Sequence, residues 1–126
     1  MIRDKKGFTL IELIVIIVIL GILAAVAVPT YVDLTSSASD ATARAVLGGL
    51  RGANSLLFAQ RLIGNTPGAY TIANVVGAAQ IQGVTWGLAA NTMTVAVGSR
   101  IYTFSFTNGN VPTIMGTVYT APTTTW

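Results

Sequence analysis

The acids of this chain are Asp4, Glu12, Asp33 and Asp40, and none lies beyond position 40. General acid–base work and calcium or magnesium cages need two or more carboxylates converging on one site. Residues 41–126 hold no such pair. Histidine and cysteine are absent throughout, which removes imidazole bases, thiolate nucleophiles, disulfides and Cys/His metal sites. Gly48-Gly49-Leu50-Arg51-Gly52 is glycine-rich but lacks the Lys-Ser/Thr ending of a phosphate-binding loop. We therefore expect no enzyme activity, no cofactor and no metal.

One acid does pose a chemical question. Phe8 to Val28 reads FTLIELIVIIVILGILAAVAV, and Glu12 is the one charge in it. As a helix those residues are about 32 Å long, matching a hydrocarbon core of roughly 30 Å. An acid inside a bilayer helix costs about 2.5–3.5 kcal/mol. Glu12 sits about 6 Å along the axis from Phe8, so it is either a shallow, partly hydrated carboxylate or one with a cationic partner. No Lys or Arg follows Lys6 within the run.

The flanking charges orient the segment. Arg3, Lys5 and Lys6 precede it, whereas Asp33 and Asp40 follow it; the positive-inside bias places the N-terminus in the cytoplasm and the chain after Val32 outside. A secretory signal peptide would close a shorter apolar core with a small-residue cleavage motif, whereas this run leads on into Pro29-Thr30-Tyr31. The whole chain, 126 residues with 52% hydrophobic and 9% charged, has length for one domain plus an appended segment. Its net charge of +3 is concentrated at the start: beyond residue 7 four arginines face three acids, a balance of +1. That is too little for a nucleic-acid surface, and none is expected to bind.

The string Lys6-Gly7-Phe8-Thr9-Leu10-Ile11-Glu12-Leu13, followed by Gly21-Ile22-Leu23-Ala24-Ala25 and Pro29, resembles the N-terminal signature of bacterial type IV pilins and type II secretion pseudopilins. The resemblance covers about the first thirty residues. It implies that a prepilin peptidase/methyltransferase cuts after Gly7, at the end of a leader containing Arg3, Lys5 and Lys6, and methylates Phe8. It also implies that the Phe8 amine of a neighbouring copy pairs with Glu12 as the subunit leaves the membrane for a filament. The chain would then be a structural subunit of a type IV pilus-like extracellular filament, a self-made helical homopolymer. It would be held first in the cytoplasmic (inner) membrane, handled by the inner-membrane assembly platform, and take no small-molecule substrate. The rival within the resemblance is a minor type II secretion pseudopilin; the major pseudopilin typically holds calcium through acids in its C-terminal region, and here none lies past Asp40. A DNA-uptake pilin is a further alternative.

Pro29 lacks an amide hydrogen and its ring crowds the preceding turn, and Gly21 lowers helix propensity by about 1 kcal/mol relative to Ala. Residues 21–29 are thus the expected weak point of the helix, and the resemblance implies that this region loses helical order on assembly; a static proline kink is the other reading. From Thr30 to Ile63 a helical period continues, with Val46, Leu50, Ala53 and Leu57 as the expected core stripe. Asp33, Asp40, Arg44 and Arg51 project near one line, with Asp40 and Arg44 an i, i+4 pair; neighbour-to-neighbour register along that ribbon is the alternative to a solvated local pair. Gly48, Gly49 and Gly52 suit close approach either to the sheet or to another helix. Gly64-Asn65-Thr66-Pro67-Gly68 ends the helix. Around residues 33–63 the pattern loosely resembles mannose-sensitive haemagglutinin-type pilins, departing from them in lacking a C-terminal cysteine pair.

Beyond Tyr70 β-branched and aromatic residues replace Leu and Ala. A hairpin is expected at Thr92–Val97, Gly98-Ser99, Arg100–Phe106, with a type II′ turn that pairs Val97 with Arg100, Val95 with Tyr102 and Met93 with Phe104. Further strands are expected at Tyr70–Val76, Gln80–Trp86 and Ile114–Thr120, with a turn at Asn108-Gly109-Asn110. Tyr102, Phe104 and Phe106 are expected core residues, and Thr120–Trp126 a polar flap or edge. The expected fold is α+β, a long N-terminal α-helix packed on a small antiparallel β-sheet. Its parts are a cleaved leader (1–7), a transmembrane and filament-core helix (8–29), an amphipathic helix (30–63) and a β-sheet region with a polar tail (64–126).

Overall fold

Apolar periodicity carries one helix, α1 (Leu10–Ile63), through Pro29 in a computed structural model that describes residues 7–120. The chain divides after Ser37 into two units. Among the described residues, the first holds residues 7–9 and the N-terminal part of α1. The second, from Ala38, contains the rest of α1, then β1 (Gly68–Tyr70), α2 (Ile72–Ala79), β2 (Thr85–Ala89), β3 (Thr92–Val97), β4 (Arg100–Thr107), β5 (Gly109–Val111) and β6 (Thr117–Thr120). The expected tail beyond Thr120 lies outside the described residues.

The fold is α+β, as the sequence led us to expect. Four strands form an antiparallel sheet in the order β2-β3-β4-β6, and β1 pairs with β5 in a separate two-stranded ribbon. The β3–β4 register places Val97 opposite Arg100, Val95 opposite Tyr102 and Met93 opposite Phe104, the expected pairing. Gly98 carries φ of +62° while Ser99 does not enter the positive region, as a type II′ turn requires. Met93, Val95, Tyr102 and Phe104 are buried against Ala43, Leu47, Leu50 and Ala53 of α1. Of the expected helix stripe Leu50 and Ala53 are buried, whereas Val46 and Leu57 flank the core. The buried stripe, with Ala43, Leu47, Leu50, Ala53 and Asn54, is turned by about 40° around α1 from the expected one.

α1 stops through a Schellman arrangement: Thr66 N–H donates to Arg61 O at 3.0 Å and Asn65 N–H to Leu62 O at 3.4 Å. Asn65, at φ +48°, is the left-handed residue that makes the turn.

Three expected elements differ. Tyr70–Val76 is not a strand: Ile72–Ala79 is α2, started by Thr71, whose N–H donates to Asn74 Oδ1 at 3.0 Å. Ile72, Val75 and Val76 are buried and Ala79 packs beside them, so helical spacing outweighs the β-branched composition. Gln80–Trp86 starts late, at Thr85, because Gln80 (φ +47°) and Gly83 (φ +81°) are left-handed and break extended chain. The expected turn at Asn108-Gly109-Asn110 contains the start of β5, and the last strand begins at Thr117 rather than Ile114. Ile114 instead exchanges both backbone hydrogen bonds with Asn110, at 2.7 and 2.8 Å.

The glycines of α1 also differ from one reading of the sequence. A Cβ built at Gly48, Gly49 or Gly52 would meet nothing within 4 Å, so the sheet does not require them. Their side of α1 is exposed.

The helix charges are used within the second unit. Asp40 Oδ1 accepts from Arg100 at 2.6 Å and from the Tyr102 hydroxyl at 2.6 Å. The expected local pairing with Arg44 is secondary to these, because a hydrogen bond and a full charge reach the carboxylate from the hairpin. The Tyr102 hydrogen bond, followed by the Arg100 charge, lowers the Asp40 pKa against an opposing effect of burial, and Arg44 adds a lesser electrostatic contribution. Arg51 donates from Nε to Val118 O at 3.2 Å. Two members of the expected ribbon are therefore tied to their own sheet.

A pH dependence follows. A carboxyl with a lowered folded pKa stabilises the fold above its unfolded value, here 3.8, and the contribution is lost as pH falls through the folded value. In denaturant titrations followed by near-UV circular dichroism, acidification below pH 3.8 is expected to lower the midpoint. Asp40→Asn is expected to flatten that step and to lower stability at neutral pH; an unchanged acid limb would remove the tether from the account.

Candidate functional site

The chemistry anticipated at the N-terminus rests on Gly7, Phe8 and Glu12, with Gly21 and Pro29 further along α1. In the first unit the apolar side chains are bare: Phe8 is 80% exposed, Ile11 65%, Ile17 56% and Leu23 61%. An 18-residue window of α1 has mean hydropathy 3.2 and no buried share, so this is a helix long and apolar enough to cross a membrane. A water-exposed stripe of that length is unfavourable at roughly 25 cal/mol per Å² of apolar surface. Lipid or other apolar helices must cover it.

Glu12 sits three residues after Thr9 at the start of α1, and the two residues cap the helix. Thr9 N–H and the Thr9 hydroxyl both donate to Glu12 Oε2 at 3.4 Å, and Glu12 N–H donates to Thr9 Oγ1 at 3.3 Å. This reciprocal pattern is a capping box. It satisfies amide groups that a helix start leaves open, and it puts a negative charge at the positive end of the helix dipole. The apolar run by itself leaves Glu12 as either a shallow, partly hydrated carboxylate or one with a cationic partner. The Thr-x-x-Glu spacing ahead of an apolar run was the signal that reading missed.

The strength of the cap can be set against the cost of placing the carboxylate in hydrocarbon. An N-terminal cap contributes about 0.5–2 kcal/mol, and contacts of 3.3–3.4 Å are longer than the usual 2.9–3.0 Å. The cost of a carboxylate in hydrocarbon is about 2.5–3.5 kcal/mol. The cap offsets part of that cost.

The remaining anticipated residues are spread along the segment. Gly7 is exposed, and a Cβ there or at Gly21 would meet nothing within 4 Å. α1 is helical through both Gly21 and Pro29. Thr30 donates its hydroxyl to Val26 O at 2.9 Å just beyond the proline. Arg3, Lys5 and Lys6 lie outside the described residues.

The family of the prokaryotic N-terminal methylation motif matches residues 2–28. The chain is 39% identical over 104 residues to the type IV narrow pilus major component PilA5 of Thermus thermophilus, covering 82% of this chain and 88% of that protein. The chain belongs to the type IV pilin family. The alignment with PilA5 is longer than the 54 residues of α1, so this pilin shares more than the apolar helix with that relative. It is also 32% identical over 114 residues to fimbrial protein Q of Moraxella bovis, covering 76% of this chain and 71% of that one. With a fimbrial protein of Neisseria meningitidis serogroup B the pilin is 42% identical over 79 residues, 63% of its own length and 45% of the relative's. No solved structure matches it at a significant level.

Proposed function

We propose that this pilin is made as a membrane-inserted prepilin with a cytoplasmic N-terminus, is cut after Gly7 and methylated on Phe8, and then polymerises through residues 8–29 into a surface filament. The enzyme acting on it would be a prepilin peptidase/methyltransferase, and extraction from the cytoplasmic membrane would be the work of an inner-membrane assembly platform. The observation that carries the reading is a single carboxylate, Glu12, in a bare apolar helix with only a partial cap. Cutting after Gly7 creates a cationic amine at Phe8, four positions from Glu12. On a neighbouring copy that amine supplies the missing charge, and the apolar side chains of residues 8–28 supply the cohesion at about 1.5–3 kcal/mol per large side chain covered. Gly21 and Pro29 mark where α1 gives up helical bonds most cheaply if assembly demands it.

The experiment is mass spectrometry of filaments sheared from cells. The expected subunit begins at N-methylated Phe8. An intact Met1 in the mature protein, or absence of the chain from the sheared fraction, defeats the proposal.

A further inference from the structure

On the face of the four-stranded sheet turned away from α1, Thr92, Ser105 and Tyr119 stand side by side. The register pairs Thr92 with Ser105 across β3 and β4, and Ser105 with Tyr119 across β4 and β6. They line an open hollow of about 420 Å³ together with Asn91, Phe106, Thr107 and Asn108. Asn91 is fixed there by its own carbonyl, which accepts from Phe106 N–H at 2.8 Å. Tyr119 is 46% exposed although its strand neighbour Val118 is buried. A large aromatic ring is thus held outward on a paired strand.

The hollow has a definite chemical character. No charged side chain lines it, so neither a phosphate backbone nor an acidic peptide finds an ion pair there. Its lining residues bring the Tyr119 phenol, the hydroxyls of Thr92, Ser105 and Thr107, and the carboxamides of Asn91 and Asn108, and a carboxamide both donates and accepts. That set matches a ligand with an apolar C–H face and a rim of neutral hydroxyls. The volume falls within the range of small-ligand sites. The platform rests on ladder-bonded strands, which hold its groups in a fixed array.

We propose that this face binds a neutral saccharide, with a pyranose ring laid on Tyr119 and its hydroxyls met by Asn91, Asn108, Ser105 and Thr107. The site involves only residues of the second unit. It can be read on the unassembled chain.

The test is saturation-transfer-difference NMR on the full chain in a zwitterionic detergent without a sugar head group. The probes are maltose, lactose and N,N′-diacetylchitobiose, with digalacturonic acid as a charged control. Transfer is expected to at least one neutral disaccharide and to exceed that to the charged one. Tyr119→Ala is expected to weaken binding at least tenfold, Tyr119→Phe to retain most of it, and Asn108→Ala, at an exposed position, to weaken it several-fold with an unchanged near-UV spectrum. Absence of transfer to all three neutral sugars overturns the proposal. So does equal binding by Tyr119→Ala and Asn108→Ala, or a preference for digalacturonic acid.

Discussion

Glu12→Ala is expected to leave the pilin in the membrane and to remove it from the sheared-filament fraction. The two effects have opposite signs at one residue. Deleting the carboxylate makes the apolar segment cheaper to bury by about 2.5–3.5 kcal/mol, so insertion improves. If the Phe8 amine of a neighbouring copy pairs with Glu12 as proposed, the same deletion leaves that amine without its counter-charge in an apolar core. Breaking a buried pair in this way costs about 3–5 kcal/mol, which is roughly two to four orders of magnitude in each addition step. Fibre yield, measured as the ratio of sheared to membrane-bound subunit, should fall below detection.

The capping box makes Ala an ambiguous substitution, because it removes the cap along with the charge. Glu12→Gln separates them. Gln serves at the third position of a capping box as Glu does, so the contacts with Thr9 can persist while the charge is gone. If charge pairing sets assembly, Glu12→Gln fails as completely as Glu12→Ala. Normal filaments from Glu12→Gln would show that the side chain works by shaping the helix start, and the docking account of Glu12 would be lost.

How legible these features were depended on whether their cause was local and repeated. The β3–β4 hairpin was readable because two alternating strands and a Gly-Ser turn all specify one register. The end of α1 was readable because five successive residues oppose helix there. α2 was misread: Val and Ile composition favoured strand, and the decisive fact was the i, i+3, i+4 burial of Ile72, Val75 and Val76, which depends on packing. Asp40 was given a partner four residues away, whereas its strongest contacts come from Arg100 and Tyr102 about sixty residues on. No local rule points across that distance. The Glu12 cap is the opposite case, a local Thr-x-x-Glu signal that the sequence carries in full. The array at Tyr119 was invisible because Thr92, Ser105 and Tyr119 come from three different strands and meet only through the sheet register.

The second large effect concerns a buried polar knot that joins α1 to the entrance of β6. Asn54 Nδ2 donates to Gly116 O at 2.6 Å, Gly116 N–H donates to the Tyr70 hydroxyl at 2.8 Å, and that hydroxyl donates to Asn54 Oδ1 at 3.0 Å. Tyr70 is fully buried and Asn54 is 3% exposed. Tyr70→Phe removes the shared hydroxyl and leaves a buried amide and a buried carboxamide oxygen unpaired, each at about 1–3 kcal/mol. Gly116→Ala is worse. A Cβ there would overlap the Phe106 ring and lie 2.7 Å from Thr107 O, a backbone atom held in β4, so relief requires moving a strand. We expect a loss of about 3 kcal/mol or more, a large share of the roughly 5–15 kcal/mol that holds a domain folded. Denaturant midpoints should therefore rank wild type, Tyr70→Phe, then Gly116→Ala. Asn54→Ala combined with Tyr70→Phe should cost less than the sum of the two, because either change alone strands a partner that the second removes. Strict additivity, or a Tyr70→Phe shift below about 0.5 kcal/mol, would mean that water satisfies these groups and that β6 is held to α1 by apolar packing alone.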